Sequence, residues 1–367
     1  MRDEGLGGVW VRLWVAVTCV CLATCRGRPP EASPAAVVAP AAPAPNRAAI
    51  NPRLLRRFRP IAQAQIAAPP SNPQMIALGR MLWYEPRLSR SREISCNTCH
   101  ALSDYGVDHR STPQGDKGQR LRRNAPTVYN AAQHLAQFWD GRARDLEEQV
   151  KGPLLDSHEM GATPASVESF LRATPEYRDR FRDAFPDQPQ PVTVNNTARA
   201  IAAFERGLVT SSRWDEYLAS NVHALSAQET EGLRVFLDVG CMTCHTGPQV
   251  GASMFQVTGF VEPWSNQRDL GRFEITGAPA DRMVFKVPTL KNVTRTGPYF
   301  HDGSCADLPS AVRAMGRHQL GIELGEGEIA SIVSFLGALS GDLPLAYIAP
   351  PRLPGMSHVT GLAVRSQ

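Results

Sequence analysis

Two five-residue motifs constrain this chain more than any other feature: Cys96-Asn97-Thr98-Cys99-His100 and Cys241-Met242-Thr243-Cys244-His245. Both read C-x-x-C-H. Two thiols one helical turn apart suit addition to the two vinyl groups of a haem, and the His that follows turns beneath the ring to ligate iron. A structural zinc site would need four converging ligands, whereas these pairs lie 145 residues apart, each with its own His. A redox disulfide would not need the His. The expectation is two covalent haem c groups, attached through Cys96, Cys99, Cys241 and Cys244, with His100 and His245 on the irons.

Such chemistry belongs outside the cytoplasm, and the N-terminus agrees. Residues 1–24 read as a signal segment, with Arg2 and Arg12 ahead of an uncharged run from Leu13 to Thr24 that is too short for a mature membrane span. Leu22-Ala23-Thr24-Cys25 resembles a lipobox. The expected location is periplasmic, lipid-anchored through Cys25, with a soluble periplasmic protein as the alternative. Between Arg28 and Pro45, 13 of 18 residues are Ala or Pro, so 25–59 reads as an extended tether. Of the eight cysteines, Cys305 is left over and reads as an unpaired buried thiol without a role. A net charge of +4 with no Lys/Arg block speaks against nucleic acid as a partner.

The rest of the chain reads as helical. Asn72 and Pro73 open a helix carrying Leu78, Met81 and Leu82 on its apolar face, and Pro86 ends it. Thr163-Pro164 opens another, and Ile201, Phe204 and Leu208 mark a third. Ser226 and Glu229 form a capping box leading into the second haem motif. Ile329, Ile332, Val333 and Leu336 give a last helix, stopped at Gly341. No sustained period-two pattern is visible. The expected fold is mainly α: two cytochrome c-like haem domains packed around an inter-haem interface, at 60–209 and 210–342. The tail 343–367 is expected to fold back on the first.

Small cytochromes c bring a Met to the far side of the haem, and spacing nominates Met160, 60 residues after His100, and Met315, 70 after His245. Two such haems would make a simple electron carrier. The sequence around Met160 points elsewhere. Phe138-Trp139-Asp140-Gly141-Arg142, Leu146-Glu147-Glu148-Gln149 and Glu159-Met160-Gly161 follow one another. Pro86-Arg87-Leu88-Ser89 and Arg123-Asn124-Ala125-Pro126-Thr127 flank the first haem motif. Val287-Pro288-Thr289-Leu290-Lys291-Asn292-Val293 and Pro298-Tyr299-Phe300-His301-Asp302-Gly303 follow the second. Together, over residues 73–343, they resemble the bacterial di-haem cytochrome c peroxidase family, which includes the MauG-type enzymes.

The resemblance implies that the first haem is the peroxide site. Gln149 and Glu159 would line its distal pocket, with Glu159 as acid/base and Met160 only its neighbour. A carboxylate moving a proton between peroxide oxygens is typically worth about 10²–10⁴-fold. The second haem, with Met315 as ligand, would receive electrons, since a Met ligand raises haem potential. Trp139 would lie between the haems, and a calcium ion (Ca2+) would bind Asn124 and the carbonyls of Thr296 and Pro298. The implied reaction reduces hydrogen peroxide to water with electrons from a small cytochrome c or cupredoxin. A homodimer is a candidate assembly.

One position departs from the pattern. Peroxidases of this family carry a His seven residues before the Arg-Asn pair that blocks the first haem until reduction; here it is Asp116, with His109 nearby but out of register. Arg110, Lys117, Arg120, Arg122 and Arg123 are the expected partners of Asp116 in solvent. Two alternatives stand: a MauG-like oxidase modifying Trp or Tyr of a partner protein, and a non-catalytic electron carrier in which Met160 ligates iron. MauG has Tyr where this chain has Met315.

Overall fold

The computed structural model describes residues 50–61 and 72–356. The signal segment, Cys25, the tether before residue 50 and residues 357–367 lie outside the described residues. All described residues belong to one compact unit that begins at Ile50. The helices that build it are α1 (Pro52–Leu55), α2 (Pro73–Trp83), α3 (Leu146–Leu155), α4 (Pro164–Ala173), α5 (Pro175–Ala184) and α6 (Val194–Glu205). They continue as α7 (Arg213–Leu218), α8 (Ala227–Asp238), α9 (Leu308–Met315), α10 (Glu326–Gly337) and α11 (Leu345–Ile348).

Two apolar cores organise these helices, each around one close helix pair. In the first, α2 starts where the Asn72 side chain accepts a hydrogen bond from the Gln74 N–H, with Pro73 in the first turn, where its missing donor costs nothing. Its Leu78, Leu82 and Trp83 pack with Ile201 and Phe204 of α6 and Tyr177 and Phe181 of α5. Full burial of each such side chain contributes about 1.5–3 kcal/mol. In the second, the Ser226–Glu229 capping box starts α8, and Leu233 and Phe236 pack with Trp214, Ile332 and Phe335. Both pairs cross at a glycine. A Cβ on Gly79 would stand 1.8 Å from the Ala200 carbonyl oxygen, and one on Gly232 would stand 1.8 Å from that of Ser331. Only a residue without a side chain permits either approach.

The helix expected around Ile201 ends at Glu205, so Leu208 is buried beyond its last turn. The last long helix ends at Gly337 rather than running to Gly341, and the short α11 follows. One small antiparallel pair does form, β1 (Phe255–Val257) with β2 (Val284–Lys286), too short to leave a period-two signature. Residues 50–59 differ from a tether. Ile50, Leu54, Leu55 and Phe58 pack on the second core, Phe58 edge-on to Trp214 at 5.3 Å. The Ile61 N–H donates to Asp215, whose carboxylate also pairs with the buried Lys291. Four apolar residues within nine positions outweigh the extended character of the Ala/Pro stretch before them. At the other end, Leu343, Tyr347, Ile348 and Leu353 pack on the first core. Cys305 is half-buried rather than buried, its thiol donating weakly to the Asp307 carbonyl.

Candidate functional site

Each C-x-x-C-H motif folds as one tight turn. Cys96–Cys99 is a single helical turn begun by Ser95, whose N–H donates to the Thr98 hydroxyl. Cys241–Thr243 is a 3₁₀ turn entered through Gly240, whose φ of 97° suits glycine. In both, the histidine N–H donates to the carbonyl of the first cysteine at 3.0 Å. Both imidazoles are then fixed through Nδ1, His100 at 3.2 Å from the Gly106 carbonyl and His245 at 3.2 Å from that of Val250. A ring held through Nδ1 presents Nε2, the arrangement of a metal-ligating histidine with its outer-sphere partner. Burial pulls the pKa of His245 down to about 4, so its ring is neutral and able to ligate. No disulfide joins the four motif cysteines. Thiols, histidines and surroundings fit two haem groups.

Beside His100 lies a cavity of about 580 Å3. Cys96, Cys99, His100, Trp83 and Met160 line it, as do Trp139, Gln149 and Glu159. Gln149 projects from α3, which Asp145 caps through the Glu148 N–H, and Glu159 from the loop just after that helix. Among the described residues, nothing donates a hydrogen bond to the Glu159 carboxyl. Burial raises its pKa to about 7, with nearby Asp156 adding to the effect. Such an acid can both take and return a proton near neutral pH. Met160 is 5 % exposed and belongs to the first core.

The loop carrying Asp116 is fastened to the acid's backbone. The Asp116 N–H donates to the Glu159 carbonyl at 2.6 Å, and a Cβ on Gly115 would stand 1.8 Å from the His158 carbonyl oxygen. Asp116 is not in solvent, and its partner is none of the five cations of its own loop. It is fully buried, ion-paired with Arg90 at 2.6 Å, and accepts from the Ser91 N–H. Hydrogen bonds from Ser91 and then Arg90 hold its carboxyl below the usual carboxylate range. Arg90 also donates to the Ser157 carbonyl, so one guanidinium ties both loops together. The cations of the loop go elsewhere: Arg122 to Glu274, Arg123 to Asp140 and Asp269. His109 has both nitrogens engaged, Nε2 with Asp104 at 3.0 Å and Nδ1 with the Gly297 carbonyl at 2.8 Å. Burial lowers its pKa, but these two partners outweigh that and the net shift is upward.

Met315 ends α9 and is half-buried against an apolar cluster of Trp264, Met283 and Phe285. Trp139 packs on the same cluster, so the structure brings Trp139 and Met315 against one apolar cluster. The indole N–H of Trp139 donates to the Asn124 carbonyl at 2.9 Å. The Asn124 amide nitrogen donates to the carbonyls of Arg110 and Ser111. That orientation leaves Asn124 Oδ1 and the carbonyls of Thr296 and Pro298 without hydrogen-bond donors among the described residues, three oxygens of the kind a hard cation accepts.

Three residues of this region escaped the sequence reading. Arg90 gave no signal beyond its charge. Trp83 extends the apolar face of α2 and was hidden by its hydrophobicity. Glu205 did leave one: it stands four residues after Ile201 on a buried helical face. It lines the cavity 3 % exposed, Oε2 has no partner among the described residues, and burial pushes its pKa up to about 8.

Fold and site together define a mainly helical protein with two centres built to hold haem. The family described as "Di-haem cytochrome c peroxidase" matches residues 73–223. The chain is 46% identical over 280 residues to the cytochrome c551 peroxidase of Nitrosomonas europaea, covering 76% of this chain and 83% of that one. It is 43% identical over 310 residues to the cytochrome c551 peroxidase of Pseudomonas aeruginosa, covering 83% and 89%. Among solved structures, a MauG-like protein associated with microbial copper homeostasis superposes with a TM-score of 0.69 at 28% identity, over 77% of this chain and 94% of that one. The chain belongs to the di-haem cytochrome c peroxidase family. It is a haem-dependent oxidoreductase. No helix among the described residues is long and apolar enough to cross a membrane.

Proposed function

We propose that this chain reduces hydrogen peroxide to water at the first haem, using electrons that a small cytochrome c or cupredoxin delivers to the second. The observation that carries this is the cavity beside His100, which gathers an unpartnered, half-buried acid and an amide over a haem-attachment turn. Cys96, Cys99 and His100 would hold the first haem covalently, and Cys241, Cys244, His245 and Met315 the second. Bound there, the groups supply electron storage and an iron position for peroxide. Glu159 takes the proton from the near oxygen of peroxide and returns it to the far one, which leaves as water. Gln149 orients the peroxide by hydrogen bonding. Raising the pKa of Glu159 to about 7 makes both transfers easy at neutral pH. Trp139, packed on the same cluster as Met315, serves electron passage between the two centres. Calcium bound by Asn124 with the Thr296 and Pro298 carbonyls would fix the loop from which Trp139 hangs.

On this reading the domains are 60–209 and 210–342, in a periplasmic protein held by a lipid on Cys25. A MauG-like activity on a partner protein is the second reading, favoured by the likeness to a MauG-like structure and by Asp116 at the blocking position. Stopped-flow mixing of the holoprotein with peroxide separates the two. Reoxidation of a reduced small cytochrome c at two equivalents per peroxide supports the peroxidase. A long-lived oxidised state indifferent to that cytochrome supports the oxidase.

A further inference from the structure

A line of aromatic rings leaves the first haem cavity beside His100. Trp83 is 2 % exposed, lines the cavity, and its ring lies 6.3 Å from that of His100. Phe204 meets Trp83 edge-on at 6.0 Å, and Tyr347 stacks on Phe204 at 5.1 Å with the planes 15° apart. The Tyr347 hydroxyl donates to the Phe204 carbonyl at 2.7 Å. Gly207 makes the seat, since a Cβ there would stand 2.2 Å from the phenolic oxygen. Tyr347 is half-buried and Leu345, in the same short helix, is 69% exposed, so the line ends at the surface.

Tryptophan and tyrosine are the aromatic side chains that a peroxide-derived oxidant can oxidise; phenylalanine serves only as contact between them. Among the described residues, the buried Trp83 indole N–H has no hydrogen-bond partner. No described residue accepts the proton of an oxidised Trp83, so the fold itself offers the hole no trap by deprotonation there. Tyr347 is half-buried beside the exposed Leu345, and its hydroxyl already donates to an acceptor, the Phe204 carbonyl. The two ends thus differ in the sense that drives a hole outward.

We propose that Trp83 and Tyr347 form an exit route that carries one oxidising equivalent from the first haem site to the surface when external electrons are short. The inference rests on the first haem being the peroxide site. Hydrogen peroxide needs two electrons and two protons to give two waters. On this route one electron comes from Tyr347 by way of Trp83, and the phenolic proton goes to solvent. The other electron is drawn from the second haem, and solvent supplies the protons that water formation consumes. A neutral tyrosyl radical remains on Tyr347 until a one-electron reductant, a phenol or a small redox protein, restores it.

The test is freeze-quench electron paramagnetic resonance of the holoprotein, its second haem first reduced with one electron equivalent, mixed with hydrogen peroxide without further electron donor. Haem absorbance is followed in parallel. A tyrosyl signal is expected in the parent, replaced by a tryptophanyl signal in Tyr347→Phe, with both lost in Trp83→Phe. Spin trapping followed by peptide mass spectrometry should place the adduct on Tyr347. The haem absorbance change should persist in both variants, which shows that each still folds and reacts. If that change persists while the radical survives Tyr347→Phe or never forms, the route is overturned and the peroxide site stands. If peroxide leaves the absorbance of the parent unchanged, or Glu159→Gln does not slow the change, the peroxide-site reading falls and the route with it.

Discussion

The two haem regions are built alike on one side and differently on the other. Each uses a helix pair crossing at a glycine, where a Cβ would stand 1.8 Å from a carbonyl oxygen of the facing helix. Each closes its C-x-x-C-H turn with a 3.0 Å bond to the first cysteine and fixes its imidazole through a carbonyl 3.2 Å away. Beyond the histidines the likeness stops. The first region opens on a cavity with Glu159 and Gln149 in its wall, whereas the segment that ends in Met315 packs against Trp264, Met283 and Phe285. The attachment side is common scaffolding. What a centre does is decided by the side chains that face it from elements far away in sequence.

The sharpest way to break this comparison is to remove the acid that only the first region has. Glu159→Gln keeps the shape but cannot shuttle a proton, so peroxide turnover should fall by about 10²–10⁴-fold. In the parent, the carboxylate that accepts the first proton is lost as pH falls below about 7, so the peroxide reaction should slow on acidification. The Gln variant should show a flat profile over the same range. Near-normal turnover would place the proton shuttle elsewhere.

The converse substitution probes the second region. Met315→Ala should turn one low-spin haem high-spin and lower its potential, because a thioether ligand favours the reduced iron. Met160→Ala should leave both spin states alone and cost about 2–5 kcal/mol of stability as a buried core truncation. Optical and magnetic resonance spectra of the two variants decide the point. If Met160→Ala changes the spin state instead, the spacing from His100 was the better guide and the protein is built as a carrier.

How much of this was readable in the sequence depends on whether a role rests on local spacing or on long-range contact. The haem turns, the Asn72 and Ser226 caps and the apolar faces of α2, α8 and α10 are local, and the structure repeats them. The fate of Asp116 is not local. Its loop holds five cations, yet it pairs with Arg90, 26 residues earlier, because the chain folds that arginine across the Glu159 loop. The docking of residues 50–61 on the second core is equally remote from its sequence neighbours. Glu205 sits between these cases: its position on a buried face was visible, but the cavity that explains it was not.

The Asp116 latch gives a third comparison, now within the first region. A buried carboxylate already committed to Arg90 and Ser91 is unavailable to iron, and His109 has both nitrogens engaged. The ferric holoprotein should therefore show a high-spin first haem that reacts with peroxide without prior reduction. Asp116→Asn should weaken the loop by about 1–3 kcal/mol, the cost of losing one charge-assisted hydrogen-bonding partner, and free Arg90. Electron paramagnetic resonance checks the spin state, and denaturant unfolding of the parent and Asp116→Asn proteins checks the loss of stability. Two low-spin signals in the parent, one of them lost in His109→Ala, would show that His109 blocks the iron.

The last effect concerns Glu205, for which the second region has no equivalent among the residues discussed above. Its carboxyl is buried with Oε2 unpartnered among the described residues, and burial lifts its pKa from the ordinary 4.5 to about 8. Between those values the folded protein keeps a proton that the unfolded chain releases. The folded state binds more protons, so stability falls as pH rises through this window. One such group contributes a slope of at most about 1.4 kcal/mol per pH unit. Above pH 8 the folded state ionises too, and the slope vanishes. Glu205→Gln removes the titrating group while keeping the shape and leaves an amide where a protonated acid stood. Its stability, measured by denaturant unfolding of the holoprotein, should lose this downward slope between pH 5 and 8. The parent and the variant should therefore differ most at the alkaline end. A parallel pH dependence in the two proteins would mean that Glu205 is ionised in the fold and has found a counter-charge. The acid would then be a fixed negative charge beside the first haem rather than a neutral wall.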